Sequence, residues 1–185
     1  MGVALASEAC RRGHPTTLLL GPVGQTGDLP EGVQVERFES TQDLQQLLKR
    51  HMPQHAMLIM AAAVADFIPR TQAEGKLSRR NGPLTLTLDP APDLLAQLAA
   101  GRRPGQHMVG FALESAHQLE QAATEKMARK GIDAIVANPL ETMESETITA
   151  SVLFADGPKS VAPPDLPKGA FAAWLMDLLE ARFSI

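Results

Sequence analysis

The spacing of apolar and polar positions divides the chain into segments of two periods. "MGVALASEACRRG" places its apolar residues at helical intervals and closes at Gly13, a residue suited to the position just past a helix end. "TTLLLGPV" is a short apolar run from Thr16 to Leu20 stopped by Gly21-Pro22, which predicts a buried strand. "VQVERFE" alternates with period two and predicts another strand, after which "STQDLQQLLKRHM" predicts a helix capped by Ser40 or Thr41. "HAMLIMAAA" reads as the next strand, and "PDLLAQLAAG" as a helix with Pro92 near its first position and Gly101 beyond its end. The pattern continues with strand "HMVGFAL", helix "SAHQLEQAATEKMARKG" ending at Gly131, strand "DAIVAN" and a further strand in "TITASVLFAD". A proline-rich link, "GPKSVAPPDLPKG", leads to a last helix, "AFAAWLMDLLEARF". Strands alternating with helices at this spacing predict an α/β fold with a doubly wound, mostly parallel sheet, one domain over residues 1–185. One stretch breaks the rhythm. From Arg70 to Leu88 a polar arm, an Asn-Gly pair and the alternation "LTLTL" predict a β-hairpin projecting from the sheet.

Within that frame, "MLIMAAAVADFIP" is unusual, because an apolar strand runs into Ala61, Ala62 and Ala63 and then stops at Asp66. A run that only fills a core favours larger side chains, which bury more area. Small side chains followed by a carboxylate suit a backbone that a ligand approaches closely, and open α/β sheets hold ligands at the carboxyl ends of their strands. Asp66 serves equally as a turn cap or as an acceptor for a ligand's amino or hydroxyl groups.

Composition narrows the classes. Apolar residues make up 44% and charged residues 21%, the balance of a folded soluble-type domain, not of a disordered chain. A net charge of −4 argues against a nucleic-acid binder that relies on a broad basic surface. The apolar runs are too short for a membrane span, and the opening residues do not read as a signal peptide. Cys10 is the single cysteine, so no disulfide framework exists and a reducing, cytoplasmic setting is expected. Its expected role is that of a small buried helix residue. The five histidines are scattered without metal-ligand spacing, and no metal site is expected from protein ligands.

Several other residues have both a plain and a chemical reading. Lys76 lies beside Arg79 and Arg80 on the arm, either as a solvated charge or as a point charge for phosphate. Lys126 and Lys130 stand four apart on one helix with Arg129 between them. Like charges at that spacing repel by a few tenths of a kcal/mol, roughly what the helix dipole returns to cations in a last turn. An anion between the two ammonium groups would make the pair favourable. Phe111 suits a core or a base-stacking surface, and Asn138 a turn or a ligand contact.

Taken together, "MAAAVADFIP", "GKLSRR" followed by "LTLTL" and "PDLL", "VGFALES" and "KMARKGIDAIVAN" resemble phosphopantothenoylcysteine synthetase. That family is the ligase half of the bacterial coenzyme A flavoprotein, and the resemblance runs in order along nearly the whole chain. It implies a Rossmann-like fold and a reaction that joins 4′-phosphopantothenate to cysteine after activation of the carboxylate with CTP. It also implies Mg²⁺, a homodimer, and a phosphopantothenoylcysteine decarboxylase domain or protein as partner. By the same resemblance, Met60, Ala61, Ala62 and Asp66 hold the nucleotide together with Ala91 and Pro92, which place a helix N-terminus beside it. Phe111, Lys126 and Lys130 line the CTP site, and Lys76 is the catalytic residue that stabilises the activation transition state.

The chain departs from the family pattern in places. Ser78 stands where the arm has a lysine, "DPAPDLL" lacks a lysine before its Pro-Asp pair, and Pro139 replaces a common aspartate. The family's opening strand, with its catalytic asparagine and Ser-Ser-Gly loop, precedes the Met-Gly that begins this sequence. The expectation is therefore an N-terminally truncated ligase domain, with "TTLLL" and "MLIMAAA" not paired to each other. The alternatives are a nucleotide-binding fragment without chemistry and an NAD(P)-dependent reductase. The reductase is disfavoured by the lack of a G-x-G-x-x-G loop and by the complete absence of tyrosine.

Overall fold

The computed structural model describes residues 1–23, 31–71, 75–78, 82–115, 117–140 and 145–185. In chain order the first half comprises α1 (Gly2–Arg11), β1 (Thr16–Leu20), β2 (Val33–Arg37), α2 (Thr41–His51), β3 (Met57–Met60), β4 (Phe67–Pro69) and β5 (Leu88–Pro90). The second half comprises α3 (Leu94–Ala100), β6 (His107–Glu114), α4 (Leu119–Lys130), β7 (Ala134–Pro139), β8 (Thr147–Ile148), β9 (Ser151–Phe154), β10 (Ser160–Val161), β11 (Leu166–Pro167) and α5 (Lys168–Phe183).

The longest apolar runs make the centre. β6 lies between β3 and β7, parallel to both, in a five-stranded sheet of order β10-β9-β7-β6-β3. The antiparallel β9 and β10 complete that sheet's other edge. Alternate side chains of β6 and β7 serve opposite cores. Val109, Ala134 and Val136 pack with Leu5, Phe171, Leu175 and Leu179 on the α1/α5 face. Met108, Ala112, Ile135 and Ala137 pack with Leu95, Ala99, Ala123 and Met127 on the α3/α4 face. The expected doubly wound, mostly parallel sheet is the observed one. Among the described residues no helix is long and apolar enough to cross a membrane.

β1 pairs with β2 in a separate parallel two-stranded sheet, and β1 and β3 share no ladder, as expected. Helix α2 joins the two sheets instead. Its buried Leu44 and Leu48 pack with Leu19 and Phe38 of the first sheet's side and with Leu58 and Met60 of β3. A hydrogen bond of 3.1 Å between Thr17 Oγ1 and His55 Nε2 spans the same junction. The capping box at Ser40 and Asp43 fixes where α2 begins, which selects Ser40 over Thr41.

Several boundaries differ from the pattern. β3 stops at Met60, so the alanines lie outside the strand. Asp93 caps α3 by accepting from Ala96 N at 3.1 Å, so Pro92 stands just before the cap and not within the helix. α4 begins at Leu119, later than its polar lead-in suggested. "TITASVLFAD" splits in two because β8 pairs with β11 while β9 joins the central sheet, and the proline-rich link contains β10 and β11. Among the described residues the arm forms a ladder at its base, where β4 and β5 pair antiparallel and Arg70 reaches Asp89 at 2.6 Å. One further backbone bond, from Arg70 N to the Thr87 carbonyl at 2.9 Å, extends this contact, residues 82–86 are not in a strand, and the Asn81 turn signal lies outside the described residues.

At the opposite face α1 is clasped to α5 by charge. Arg12 bonds Glu8 Oε1 at 2.7 Å, Glu180 Oε2 at 2.7 Å and the Ala173 carbonyl at 2.9 Å, and pairs with Asp177 at 2.6 Å. The Arg11 guanidinium, against the opposing effect of burial and with help from Arg12, holds the Glu8 carboxyl down at about 2. Glu180 is held below its ordinary value by His14 first and Arg12 next. Lowered carboxylates contribute stability that is present above their unfolded value and lost as pH falls through the folded one. The α1/α5 contact should therefore weaken as pH falls through the lowered value of Glu180, while the Glu8 pairs within α1 are lost only toward about 2. Arg12→Met should lower stability at neutral pH by about 1.5–3 kcal/mol and flatten the acid limb of a denaturation series. An unchanged acid limb in that variant would contradict the clasp.

Candidate functional site

Parallel strands buried on both faces can carry polar chemistry only at their ends, and here the carboxyl ends of β3, β6 and β7 converge. The segment after β3, the last residues of β6 from Phe111 to Glu114, and Asn138 of β7 form one side of a cleft of about 850 Å³. The residues before α3 and a stripe along α4 form the other. The volume lies in the range of roughly 300–1,000 Å³ usual for small-molecule sites.

Each wall has a local cause. Ala61, Ala62 and Ala63 leave the backbone after Met60 open to the cleft, since their side chains stop at Cβ. Asp66 lies beyond them, directly before β4, so it does not close β3 as the pattern implied. Its carbonyl accepts from Ala91 N at 2.8 Å, which ties the alanine segment to the segment leading into α3. The two rims of the cleft are thereby fixed together.

On α4 the lining residues Ala122, Glu125, Lys126, Arg129 and Lys130 recur at intervals of three and four, one face of a helix. Lys126 donates from Nζ to the Phe111 carbonyl at 3.1 Å, which draws α4 onto β6. Burial first, and then the Lys130 ammonium, push Lys126 below the ordinary lysine value. Lys130 reaches across to Asp93, with Nζ 2.5 Å from Oδ2. Burial works to raise the Asp93 carboxyl, but Lys130 and the capping Ala96 N–H outweigh it and hold it low. Lys168, at the start of α5, faces the same cleft.

Four carboxylates (Asp66, Asp93, Glu114, Glu125) and four cations (Lys126, Arg129, Lys130, Lys168) thus share one lining. Such a surface suits a ligand with an apolar ring or chain and a strongly anionic end, because a polyanion finds paired lysines and guanidinium in one stripe.

The structure brings together Met60, Ala61, Ala62, Asp66, Ala91, Pro92, Phe111, Lys126 and Lys130, all expected at one site, and Asn138 joins them. Lys76 is not among them; it sits exposed on the arm, outside the cleft lining. Sequence reasoning missed Glu114, Glu125 and Lys168. Glu125 was findable from its place on the Lys126/Lys130 stripe. Lys168 was not, since the β8–β11 pairing that sets the start of α5 has no pattern of its own. Among the described residues no group of three or more His, Cys, Asp or Glu side chains is arranged to hold a metal ion.

Comparison with known proteins bears on this cleft. The family described as "DNA/pantothenate metabolism flavoprotein C-terminal domain" matches residues 1–182. The coenzyme A biosynthesis bifunctional protein CoaBC of Vibrio cholerae is 34% identical over 190 residues, 98% of this chain and 46% of that protein. A cysteine/cysteine sulfinic acid decarboxylase of an unknown prokaryotic organism is 35% identical over 141 residues, 76% of this chain and 39% of that protein. The chain therefore spans less than half the length of either curated relative. Among solved structures, the C-terminal domain of a CoaBC protein superposes with a TM-score of 0.82 at 26% identity, covering 99% of this chain and 82% of that one.

Proposed function

The chain belongs to the DNA/pantothenate metabolism flavoprotein C-terminal domain family, and from that premise we propose that it ligates 4′-phosphopantothenate to cysteine at the expense of CTP. The observation that carries the reading is the cleft itself. An open alanine backbone, an aromatic ring and a stripe of cations meet at the carboxyl ends of parallel strands, in a chain whose fold matches a CoaBC C-terminal domain.

The reaction has two displacements. The phosphopantothenate carboxylate attacks the α-phosphorus of CTP and pyrophosphate leaves, giving an acyl-cytidylate. The cysteine amine then attacks the acyl carbon, loses a proton, and CMP leaves with the electrons of the broken C–O bond. In this scheme the backbone from Met60 to Ala62 and the Asp66 carboxylate receive the cytidine, with Phe111 against its ring or ribose. Ala91 and Pro92 form the opposite rim, and Lys126 and Lys130 meet the phosphates. Mg²⁺ fits these residues when it is carried by the nucleotide. A nucleotide-borne ion needs only one or two protein carboxylates, and Glu114, which lines the cleft, would hold it. Bound there, the ion would offset charge on the leaving pyrophosphate. The product is a thiol-bearing carboxylic acid, the substrate expected by a decarboxylase domain or partner.

The catalytic role of Lys76 requires the arm to reach a cleft. The arm exposes Leu77, Leu84, Leu86 and Leu88 at 58%, 62%, 60% and 50%, more apolar surface than an isolated strand end keeps without a partner. A second copy accounts for both facts: the arm of one protomer covers the apolar strip of its partner and delivers Lys76 to the partner's cleft.

Pyrophosphate release should require both CTP and phosphopantothenate, and amide product should require cysteine as well. Binding of CTP with no turnover would instead identify a nucleotide-binding fragment without chemistry. Lys76→Gln should lower kcat by roughly 10²–10³ with little change in the KM for CTP, whereas Lys130→Ala should raise that KM about tenfold. The opposite split would exchange the two roles. Sedimentation should give a dimer that Leu84→Lys and Leu86→Lys together dissociate, with activity lost in parallel; a fully active monomer would refute delivery of Lys76 in trans.

A further inference from the structure

The two α4 lysines do not wait in the cleft with free charge. Lys126 is engaged by a carbonyl, and the ammonium of Lys130, whose side chain is only 14% exposed, rests on Asp93. The two oxygens of Asp93 are divided between tasks: Oδ1 accepts the capping N–H of Ala96 and Oδ2 faces Lys130 Nζ. Among the described residues Asp93 is the only carboxylate in ion-pair contact with a lysine of this stripe. On the nucleotide reading of the cleft, a phosphate oxygen that meets Lys130 would have to displace it.

We propose that Asp93 is a positioning residue that acts as a built-in counter-anion. It holds Lys130 while the cleft is empty, yields it to the polyphosphate on binding, and competes to recover it when pyrophosphate leaves. The inference rests on the nucleotide reading of the cleft and adds to it a residue that sets affinity by opposition. The physics has two parts. A fixed carboxylate against Lys130 keeps three cations of one helix stripe from repelling one another without a ligand. The same carboxylate must lose its partner when a phosphate arrives, so part of the attraction between Lys130 and phosphate is spent in the exchange. Affinity for the triphosphate falls, and so does affinity for the pyrophosphate that must be released. Because Asp93 is anchored by the α3 cap, it stays within reach to take Lys130 back.

Asparagine caps a helix as well as aspartate does, so Asp93→Asn removes the charge and keeps the cap. Calorimetry with inorganic pyrophosphate and with CTP on the full chain, alone and in the variants, reads the exchange directly. Asp93→Asn should fold normally, with a melting temperature near that of the unchanged protein, and bind pyrophosphate about tenfold more tightly. In turnover it should show a lower KM for CTP and stronger inhibition by pyrophosphate, without the fall in stability that Asp93→Ala should show through loss of the cap. In a Lys130→Met background the gain from Asp93→Asn should vanish, because the carboxylate acts through that lysine. Weaker or unchanged pyrophosphate binding in Asp93→Asn overturns the proposal, as does a gain that persists without Lys130. If the unchanged protein binds neither pyrophosphate nor CTP, the nucleotide reading of the cleft fails first, and the counter-anion role falls with it.

Discussion

Strands β6 and β7 are buried on both faces, and that burial decides where the rest of the molecule can place its chemistry. Val109, Ala112, Ala134, Ile135, Val136 and Ala137 are all fully enclosed. An ionised group at any of these positions would cost several kcal/mol without a partner, so charges appear only where the strands stop. Gly110 tightens the arrangement further. A Cβ there would lie 2.9 Å from Ile132 Cδ1 and 3.1 Å from Leu95 Cδ2, which leaves room for hydrogen alone. That close approach seats Leu95 against β6, and with it the N-terminus of α3, where Asp93 and Pro92 form the rim of the cleft.

Given that frame, the cleft's electrostatics follow from two short contacts. Lys126 on the Phe111 carbonyl draws α4 to the end of β6, and Lys130 on Asp93 draws the same helix to the start of α3. Three elements that are separate in sequence are therefore held in register by two lysines of one helix face. The cleft is lined by side chains that include as many carboxylates as cations. Its selectivity has to come from which pairs open and which partners replace them.

Much of this was legible in the sequence, for physical reasons. Period and punctuation located each α-helix among the described residues, because apolar faces and end residues such as Ser40, Gly13 and Gly131 act locally. Small residues after an apolar strand marked the end of the sheet where the cleft opens, and the spacing of Lys126 and Lys130 marked one face of α4. What escaped was set by pairing between distant segments. The division of "TITASVLFAD" into two strands depends on which sheet each half joins, and Lys168 reaches the cleft only because β11 pairs with β8. Asp93 caps α3 through a local contact with Ala96 N, but its pairing with Lys130, thirty-seven positions further along the chain, is set by the packing of α4 on α3. The position of Lys76, exposed on the arm and outside the cleft, was not legible, since local pattern does not say where an arm rests.

The central claim is that a nucleoside triphosphate lies in the cleft with its phosphates on α4. A crystal structure with a non-hydrolysable CTP analogue and Mg²⁺ tests it most directly. The account predicts the cytidine along the Met60–Asp66 segment and phosphate oxygens at roughly 3 Å from the ammonium groups of Lys126 and Lys130. A nucleotide bound away from this cleft, or seated in it with its phosphates pointing away from α4, would contradict the account.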